Sequence, residues 1–349
     1  MTQRHLIYWL ALQRIFSNQP IIAKQLLDFY QTPDKIFEYS NYEQVRCFND
    51  WATCEQDLKI CQQQNINILT LADENYPAQL KEIYDCPVVL MIKGDINALT
   101  KPGIAIVGSR RATSLGKEIA FELGQELAEF GLQVTSGMAY GIDISAHLGA
   151  LSTGSTIAIW GSGLNCCYPP EFKTISQQIA GQGCVVSEFP LDFSPQPQNF
   201  PQRNRIISGL SLGVVVVEAA KRSGSLITAR MALEQGREVF AVPGLAKGVT
   251  SRGTHELLKK GAALVETGAE IIEIIAPILP VDFKNPRHLQ IDEHNRHPIL
   301  KHLSQREAYF VDYIVEKSGL SSAEALQQLT ELMLQGEVEE LPGKRFRRK

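Results

Sequence analysis

What most constrains this chain is an alternation running from Gly103 to about Ile275, in which the short apolar runs IAIVG, QVTS, TIAIW, CVVSEF, GVVVVEA, EVFAVP and AALV are separated by stretches with helical spacing. Strands that follow one another in this way lie parallel, and each needs a right-handed crossover whose helix covers one face of the sheet. Residues 214–217 read VVVV, apolar on every side, as a strand covered on both faces must be. Ligands of such open sheets bind beyond the carboxyl ends of the strands, so the loops leaving those ends are where function belongs.

The flanks read differently. From Leu6 to about Gln64 the apolar residues fall at helical spacing with no strand-like alternation. Residues 66–100 change to the short runs ILTL and PVVLMIKGD, punctuated by Pro77 and Pro87, which predict one or two strands in a connecting segment. Residues 277–297 are rich in proline and polar groups and lack periodicity, as a linker does. The remainder has two helical patterns, REAYFVDYIVEK and SSAEALQQLTELMLQG, and then a hairpin-like end, the plan of a winged helix. Ser321 or Ser322 can cap its second helix, with Glu324 in the first turn. The expected fold is α/β: a Rossmann-like, doubly wound, mostly parallel sheet at 67–276, preceded by a small helical (SAM-like) domain at 1–66 and followed by the 277–297 linker and a winged-helix domain at 298–349.

At 349 residues two or three domains are expected, and 44% hydrophobic with 21% charged residues excludes a disordered or fibrous chain. The net charge of −4 excludes a protein that coats nucleic acid through bulk positive charge, so any such site must be a local patch. The N-terminus has neither a run of about 18 apolar residues nor a small-residue cleavage site, which points to a cytoplasmic protein without a membrane segment. Seven scattered cysteines are unlike a disulfide framework. Cys47, Cys54 and Cys61 recur every seventh residue and could share a helix face, but thiols two turns apart are too distant to chelate one ion, and core packing is the expected role.

Five loops after strands carry unusual residues. In GSRRATSLG (108–116) Gly108 lets the backbone turn sharply, Ser109 can donate to an oxyanion, and Arg110 sets a guanidinium fork at the strand mouth. The same residues also make an ordinary glycine turn, and the missing GxGxxG argues against a nicotinamide or flavin dinucleotide enzyme. In SGMAYGID (136–143) Gly137 and Gly141 bracket a tight loop and Asp143 can cap the next helix, with His147 one turn on as either an acid/base partner or a structural contact. GSGLNCCYPPEF (161–172) offers the ring of Tyr168, or is simply a loop stopped by prolines.

In NFPQRNRIISGLS (199–211) Arg203 and Arg205 flank Asn204 at a helix start, so guanidinium forks, an amide and free backbone N–H groups could converge on phosphate. Phe200 either stacks on an unpaired base, worth roughly 1–3 kcal/mol, or plugs the core. In EAAKRSGSLITARMALEQG (218–236) Ser223, Gly224 and Ser225 precede a helix whose first N–H groups have no internal partners. Thr228 and Arg230 follow, and Lys221 and Arg222 stand on the approach. The terminal KRFRRK, with Phe346 interleaved, is either a basic wing tip that meets phosphate or a solvated charged end.

Taken in order, VGSRRAT, SGMAYGID, YPPE, SEFP, NFPQRNRIISGLSLGVVVVEA, RSGSLITARMALEQGREVFAVPG and SRGTHELLKKGA resemble the DNA-processing protein A (DprA/Smf) family over about 103–275, with a weaker likeness at 76–95 and in LPGKRFRRK. The resemblance implies a protein, not an enzyme, that binds and protects single-stranded DNA during natural transformation and helps load a RecA-type recombinase. It further implies a homodimer joined through the Rossmann-like domain, with no cofactor, metal or catalytic residue. Carried over, Gly108, Ser109, Arg110, Phe200, Arg203, Asn204, Arg205, Ser223, Gly224, Ser225 and Thr228 would line the DNA groove. Three departures stand out. RIFSNQPII replaces the glycine hairpin many relatives use to grip DNA, so the N-terminal domain is assigned no DNA contact. SPQPQ lacks the lysine some members place before the NFP phenylalanine, and Tyr140 stands where many have arginine.

Two other classes compete. A nucleotide-cleaving hydrolase of the lysine-decarboxylase-like Rossmann group would carry PGGxGTxxE, whereas VVEAAKRSGSLITA has neither the PGG nor the glutamate, leaving Glu188 and Glu218 at strand ends as its remaining candidates. A DNA-independent adaptor could use the winged helix to bind another protein.

Overall fold

The valine run becomes a strand at the place where the sheet changes winding direction. The computed structural model describes residues 3–280, 283, 298–304, 308–334 and 336–348. Nine strands form one sheet in the order β1 (Ile66–Thr70), β2 (Val89–Gly94), β6 (Cys184–Ser187), β5 (Thr156–Trp160), β4 (Gln133–Ser136), β3 (Gly103–Val107), β7 (Gly213–Val216), β8 (Glu238–Ala241) and β9 (Ala263–Leu264). From β6 to β9 all neighbours are parallel, and β1 and β2 form an antiparallel edge. The chain lays down β3, winds through β4, β5 and β6 to one side, then returns to place β7, β8 and β9 on the other. β3 and β7 are thus adjacent, with Val107 opposite Val216, and a crevice opens between their carboxyl ends.

Both faces are covered, as the apolar run requires. Ala105, Val107, Val214 and Val216 pack with Ile206, Ile207, Ala229 and Ala232, which belong to α10 (Asn199–Gly209) and α11 (Ser225–Glu234). The alternate residues Ala158 and Val185 face the other way and join a second cluster with Met138 and Ile179. That side is covered by α7 (Ser114–Glu129), α8 (Ile142–Thr153) and α9 (Lys173–Gln182).

The N-terminal segment is helical as its spacing predicts: α1 (Gln3–Ile15), α2 (Pro20–Tyr30), α3 (Pro33–Tyr39), α4 (Glu43–Arg46) and α5 (Trp51–Gln63) precede β1. Its core of Trp9, Leu10, Leu12 and Leu58 continues into Val89, Met91 and Leu191, so these helices share a core with the antiparallel edge. Residues 1–281 accordingly form one compact unit and 282–349 another. The three evenly spaced cysteines do not share a helix: Cys47 is exposed at the end of α4, while Cys54 and Cys61 are buried on α5. Burial pushes both of those thiols up to about 12, which keeps them protonated and inert.

In the second unit β10 (Tyr309–Phe310), β11 (Val338–Leu341) and β12 (Arg345–Arg348) form an antiparallel sheet in the order β10–β12–β11, beside helices Val311–Ser318 and Ser322–Leu334. The first helix begins later than its pattern suggests because Tyr309 and Phe310 pair with β12 instead. Ser321 supplies the cap: its hydroxyl accepts from the Glu324 N–H at 3.3 Å, and the Glu324 carboxylate accepts from the Ser321 N–H at 2.9 Å, a reciprocal capping box. Phe346 is core, and Arg347 is held by Glu339 at 2.8 Å, so the basic end is partly committed to the fold. Most of the expected linker, residues 281–282 and 284–297, lies outside the described residues. Among the described residues no helix is long and apolar enough to cross a membrane.

Candidate nucleic-acid interface

The crevice between β3 and β7 opens into a cleft of about 820 Å³, walled by the loops after β3, β4, β5, β7 and β8 and by the start of α10. Close backbone approach sets its shape. A Cβ on Gly108 would lie 2.4 Å from Ile142, and one on Gly141, at φ +79°, would lie 2.2 Å from the Ser109 carbonyl. The loops after β3 and β4 therefore interlock, joined by the Ile142 N–H donating to Ser109 at 3.3 Å. Gly108 is needed for this approach rather than for the sharp turn its sequence suggests. The Ser109 hydroxyl accepts from the Arg111 N–H at 3.1 Å, which leaves Arg110 and Arg111 exposed at the mouth. Among the described residues no carboxylate lies within ion-pair distance of either.

Arg110 lies over the face of Phe200, 5.2 Å from the ring centroid, and Tyr168 sits on the same ring at 5.6 Å with a 42° tilt. Phe200 is half-buried and Tyr168 exposed. Arg110 and Tyr168 thus both contact Phe200 in the cleft lining. Across it, Ser223, Gly224 and Ser225 lead into α11, with the two serine hydroxyls 2.8 Å apart and Thr228 behind them. The N–H groups of Leu226 and Ile227 bond back to Ser223 and Gly224 at 3.2 and 3.1 Å, so the helix mouth offers fewer free donors than the sequence alone implies.

The floor holds two buried ionisable side chains, Arg203 and Asp143. Arg203 is 3% exposed, and its guanidinium donates to the Gly137 carbonyl at 2.8 Å and to the Ile159 carbonyl, joining the loop after β4 to strand β5. Gly137 is required there, because a Cβ would lie 2.3 Å from that guanidinium. The Asp143 carboxylate accepts from the N–H groups of Gly137 and Ala139 at 3.2 and 3.4 Å, so it secures the loop before the helix, while Gly141 occupies the capping position. Burial raises the Asp143 pKa against the pull of Arg203 and of its backbone donors. Burial lowers that of Arg203 to about 10, with Asp143 opposing the shift, so the guanidinium stays charged near neutrality. His147 is fully buried and pairs with the Thr156 hydroxyl at 2.8 Å, not with Asp143, and burial with the nearby Arg203 charge lowers it to about 3. It is a neutral structural side chain, not half of an acid/base pair.

A family model described as DNA recombination-mediator protein A matches residues 67–276, and one described as the DprA winged helix domain matches 284–344. The chain belongs to the DprA/Smf family. It is 42% identical over 298 residues to Protein Smf of Escherichia coli, covering 83% of this chain and 79% of the relative. Among solved structures it is similar to DNA processing protein A of Streptococcus pneumoniae, at 34% identity and a TM-score of 0.65 over 78% of this chain and 98% of that one. It is also similar to the Helicobacter pylori protein, whose structure is described as showing a single-stranded-DNA binding mode, at 33% identity and a TM-score of 0.56 over 62% and 97%.

Of the residues that the DprA/Smf resemblance assigns to the groove, Gly108, Ser109, Arg110, Phe200, Arg203, Asn204, Ser223, Gly224, Ser225 and Thr228 line this one cleft. Arg205 does not, which corrects that assignment. Two residues along a helix is about 200° of rotation, so it points away from Arg203. It is 2% exposed, bound to Glu188 and 3.4 Å from Asp85, and lines a separate hollow. Arg203 is also corrected in role, since its donors face backbone carbonyls and it braces the floor. Tyr140 packs edge-on against Phe172 at 5.0 Å, outside the cleft lining. Sequence reading missed Arg111 and the contribution of Val249 and Thr250, although the loop after β8 leaves the same rim of the sheet and the strand-end rule covers it.

Proposed function

We propose that this chain binds single-stranded DNA without sequence preference, with the strand seated in the cleft at the β3–β7 switch point. The observation that carries the reading is the cluster in which Arg110 and Tyr168 both contact Phe200. An exposed cation without a carboxylate partner accepts phosphate, and adjoining rings accept unpaired bases, whose π-faces are common to all four. Arg111, Asn204 and the Ser223–Ser225 turn complete the polar lining. The relative from Helicobacter pylori, described by its single-stranded-DNA binding mode, supports the same ligand class. Protection of incoming DNA during natural transformation, loading of a RecA-type recombinase and dimerisation through the Rossmann-like domain are the corresponding biological proposals.

We infer a binding role rather than catalysis because the strand-end carboxylates are occupied. Glu218 accepts from the Thr113 N–H at 2.9 Å and from its hydroxyl at 2.6 Å, holding the start of α7, and Glu188 is buried against Arg205. Neither is presented to a ligand as the hydrolase reading requires. The test is a fluorescence anisotropy titration with single- and double-stranded oligonucleotides at two salt concentrations. Tighter binding of the single strand, weakening steeply as salt rises, is the expected result. Equal affinity for both, or release of free base from nucleoside monophosphates, would overturn it.

A further inference from the structure

The loop after β8 carries a feature that the cleft does not explain. Leu245 is 81% exposed, more than any other large apolar side chain among the described residues, and Val249 is 66% exposed. The loop that presents them is fixed. The Gly248 N–H closes a tight turn onto the Leu245 carbonyl at 2.8 Å, and the His255 ring bonds the Gly244 carbonyl at 3.1 Å. Cβ atoms on Gly244 and Gly248 would meet the Ser251 hydroxyl at 2.3 and 2.9 Å, so the turn is pressed onto the start of α12 (Arg252–Lys259).

Because β8 lies beside β7 and parallel to it, this turn leaves the same rim as the cleft, and Val249 and Thr250 form part of the cleft wall. The loops after β7 and β8 are also bonded to each other: the Ala219 N–H donates to the Thr250 carbonyl and the Gly253 N–H to the Ala219 carbonyl, both at 2.7 Å. On this joined surface stand Lys221, Arg222, Lys247 and Arg252. Of the nearby acids, Glu218 is bound by Thr113 and Glu256 lies 3.7 Å from Lys221. Among the described residues no carboxylate lies within ion-pair distance of Arg222, Lys247 or Arg252. A chain of net charge −4 thus places unpaired cations around a raised apolar turn, continuous with the cleft.

We propose that this surface is a second segment of the single-stranded-DNA track: Arg222, Lys247 and Arg252 contact phosphates and Leu245 meets a base, carrying the strand out of the cleft across the ends of β7 and β8. The proposal rests on the reading of the cleft given above. It commits to a single strand because a duplex hides its base faces from an apolar turn, and because cations on the same surface as an exposed apolar side chain can meet phosphates while that side chain meets a base.

The test compares oligothymidylates of about 6 nucleotides, near the lower end of known site sizes, and about 20, beyond their upper end, bound by the full chain and followed by anisotropy over a salt series. In the triple variant Arg222→Gln, Lys247→Gln, Arg252→Gln the slope of log K against log salt for the long strand should fall by about 2, at about 0.7 per phosphate lost. Its affinity should drop at least tenfold while that of the short strand stays as in wild type. Leu245→Ser, at an exposed position, should weaken the long strand about threefold with no change of slope. An unchanged long-strand slope in the triple variant overturns the proposal, as does an equal loss for both lengths, which would put these cations inside the cleft. Arg110→Ala separates the two readings. If it weakens both lengths while the triple variant changes neither, only the second segment fails; if wild type binds neither length, the cleft reading fails with it.

Discussion

Arg203 and Arg205 are two residues apart on one helix, and the regions they face have opposite characters. Toward the cleft, α10 meets loops whose exposed cations, Arg110 and Arg111, have aromatic or solvent neighbours and no carboxylate partner among the described residues. On the other side lies a hollow of about 550 Å³ whose two arginines meet acids: Arg205 meets Asp85 on the lining and the buried Glu188 outside it, and Arg237 meets Glu82 at 3.8 Å. The residue type is the same on both sides. What separates Arg205, an anchor of the fold, from Arg110, offered to phosphate, is the Glu188 carboxylate buried beside the first.

The largest test of that contrast is Arg205→Ala. It strands the buried Glu188 carboxylate, whose pKa burial already raises against the pull of Arg205, and should cost about 3–5 kcal/mol in urea unfolding. DNA affinity of the still-folded protein should not change. Lost affinity with stability intact would erase the distinction between the two sides.

Arg110→Ala is the mirror case. Removing an exposed guanidinium should leave unfolding within about 0.5 kcal/mol of wild type. Losing a charged phosphate contact should weaken single-strand binding by about 1.5–3 kcal/mol, roughly tenfold to a hundredfold, and lower the salt slope by about 0.7. A stability loss without a binding loss would show that Arg110 serves mainly to pack Phe200.

The contrast also marks what could be read from the sequence. The parallel sheet, its helical preface and the winged-helix plan follow from apolar periodicity, because strand and helix must each bury one side, and that demand is written locally. The cleft follows too, since strand ends converge at a switch point whatever the side chains are. The different fates of Arg203 and Arg205 were not legible. They depend on Glu188 and Asp85, 17 and 120 positions away in the chain, and on the phase of a helix whose start had to be known within one residue. The same limit explains His147: a spacing of four from Asp143 suggests a pair, but its partner, Thr156, comes from the neighbouring strand.

His147 gives a third test on the Arg203 side. Its pKa is about 3 when folded and near the usual 6.5 when unfolded, so the unfolded chain takes up the proton first as pH falls. Its contribution is complete above pH 6.5 and is lost as pH drops toward the folded value, reaching a loss of about 1.4 kcal/mol at pH 5.5. Asp143, with its raised pKa, works in the opposite direction, so the comparison must be with His147→Gln measured at the same pH values. The stability gap between wild type and variant should narrow by that amount between pH 7.5 and 5.5. A constant gap would mean that the folded ring takes up a proton as readily as the unfolded one and is not held neutral by burial.

The smallest effect is expected at Asn204, the residue between the two arginines. It is half-buried and lines the cleft, and no described residue hydrogen-bonds its side-chain amide. On a helix the next residue after Arg203 is turned by about 100°, far enough to leave the buried floor but short of the Arg205 side. Its amide is therefore available to a phosphate or a base edge without first breaking an internal bond. Asn204→Ala should weaken single-strand binding by about 1 kcal/mol, roughly fivefold, the value of one neutral hydrogen bond. Because the amide carries no charge, the salt slope should stay as in wild type, which distinguishes this loss from that at Arg110. A change of slope at Asn204 would mean that the substitution moves the neighbouring guanidinium, and the boundary between the two sides of α10 would then lie one residue nearer to Arg205.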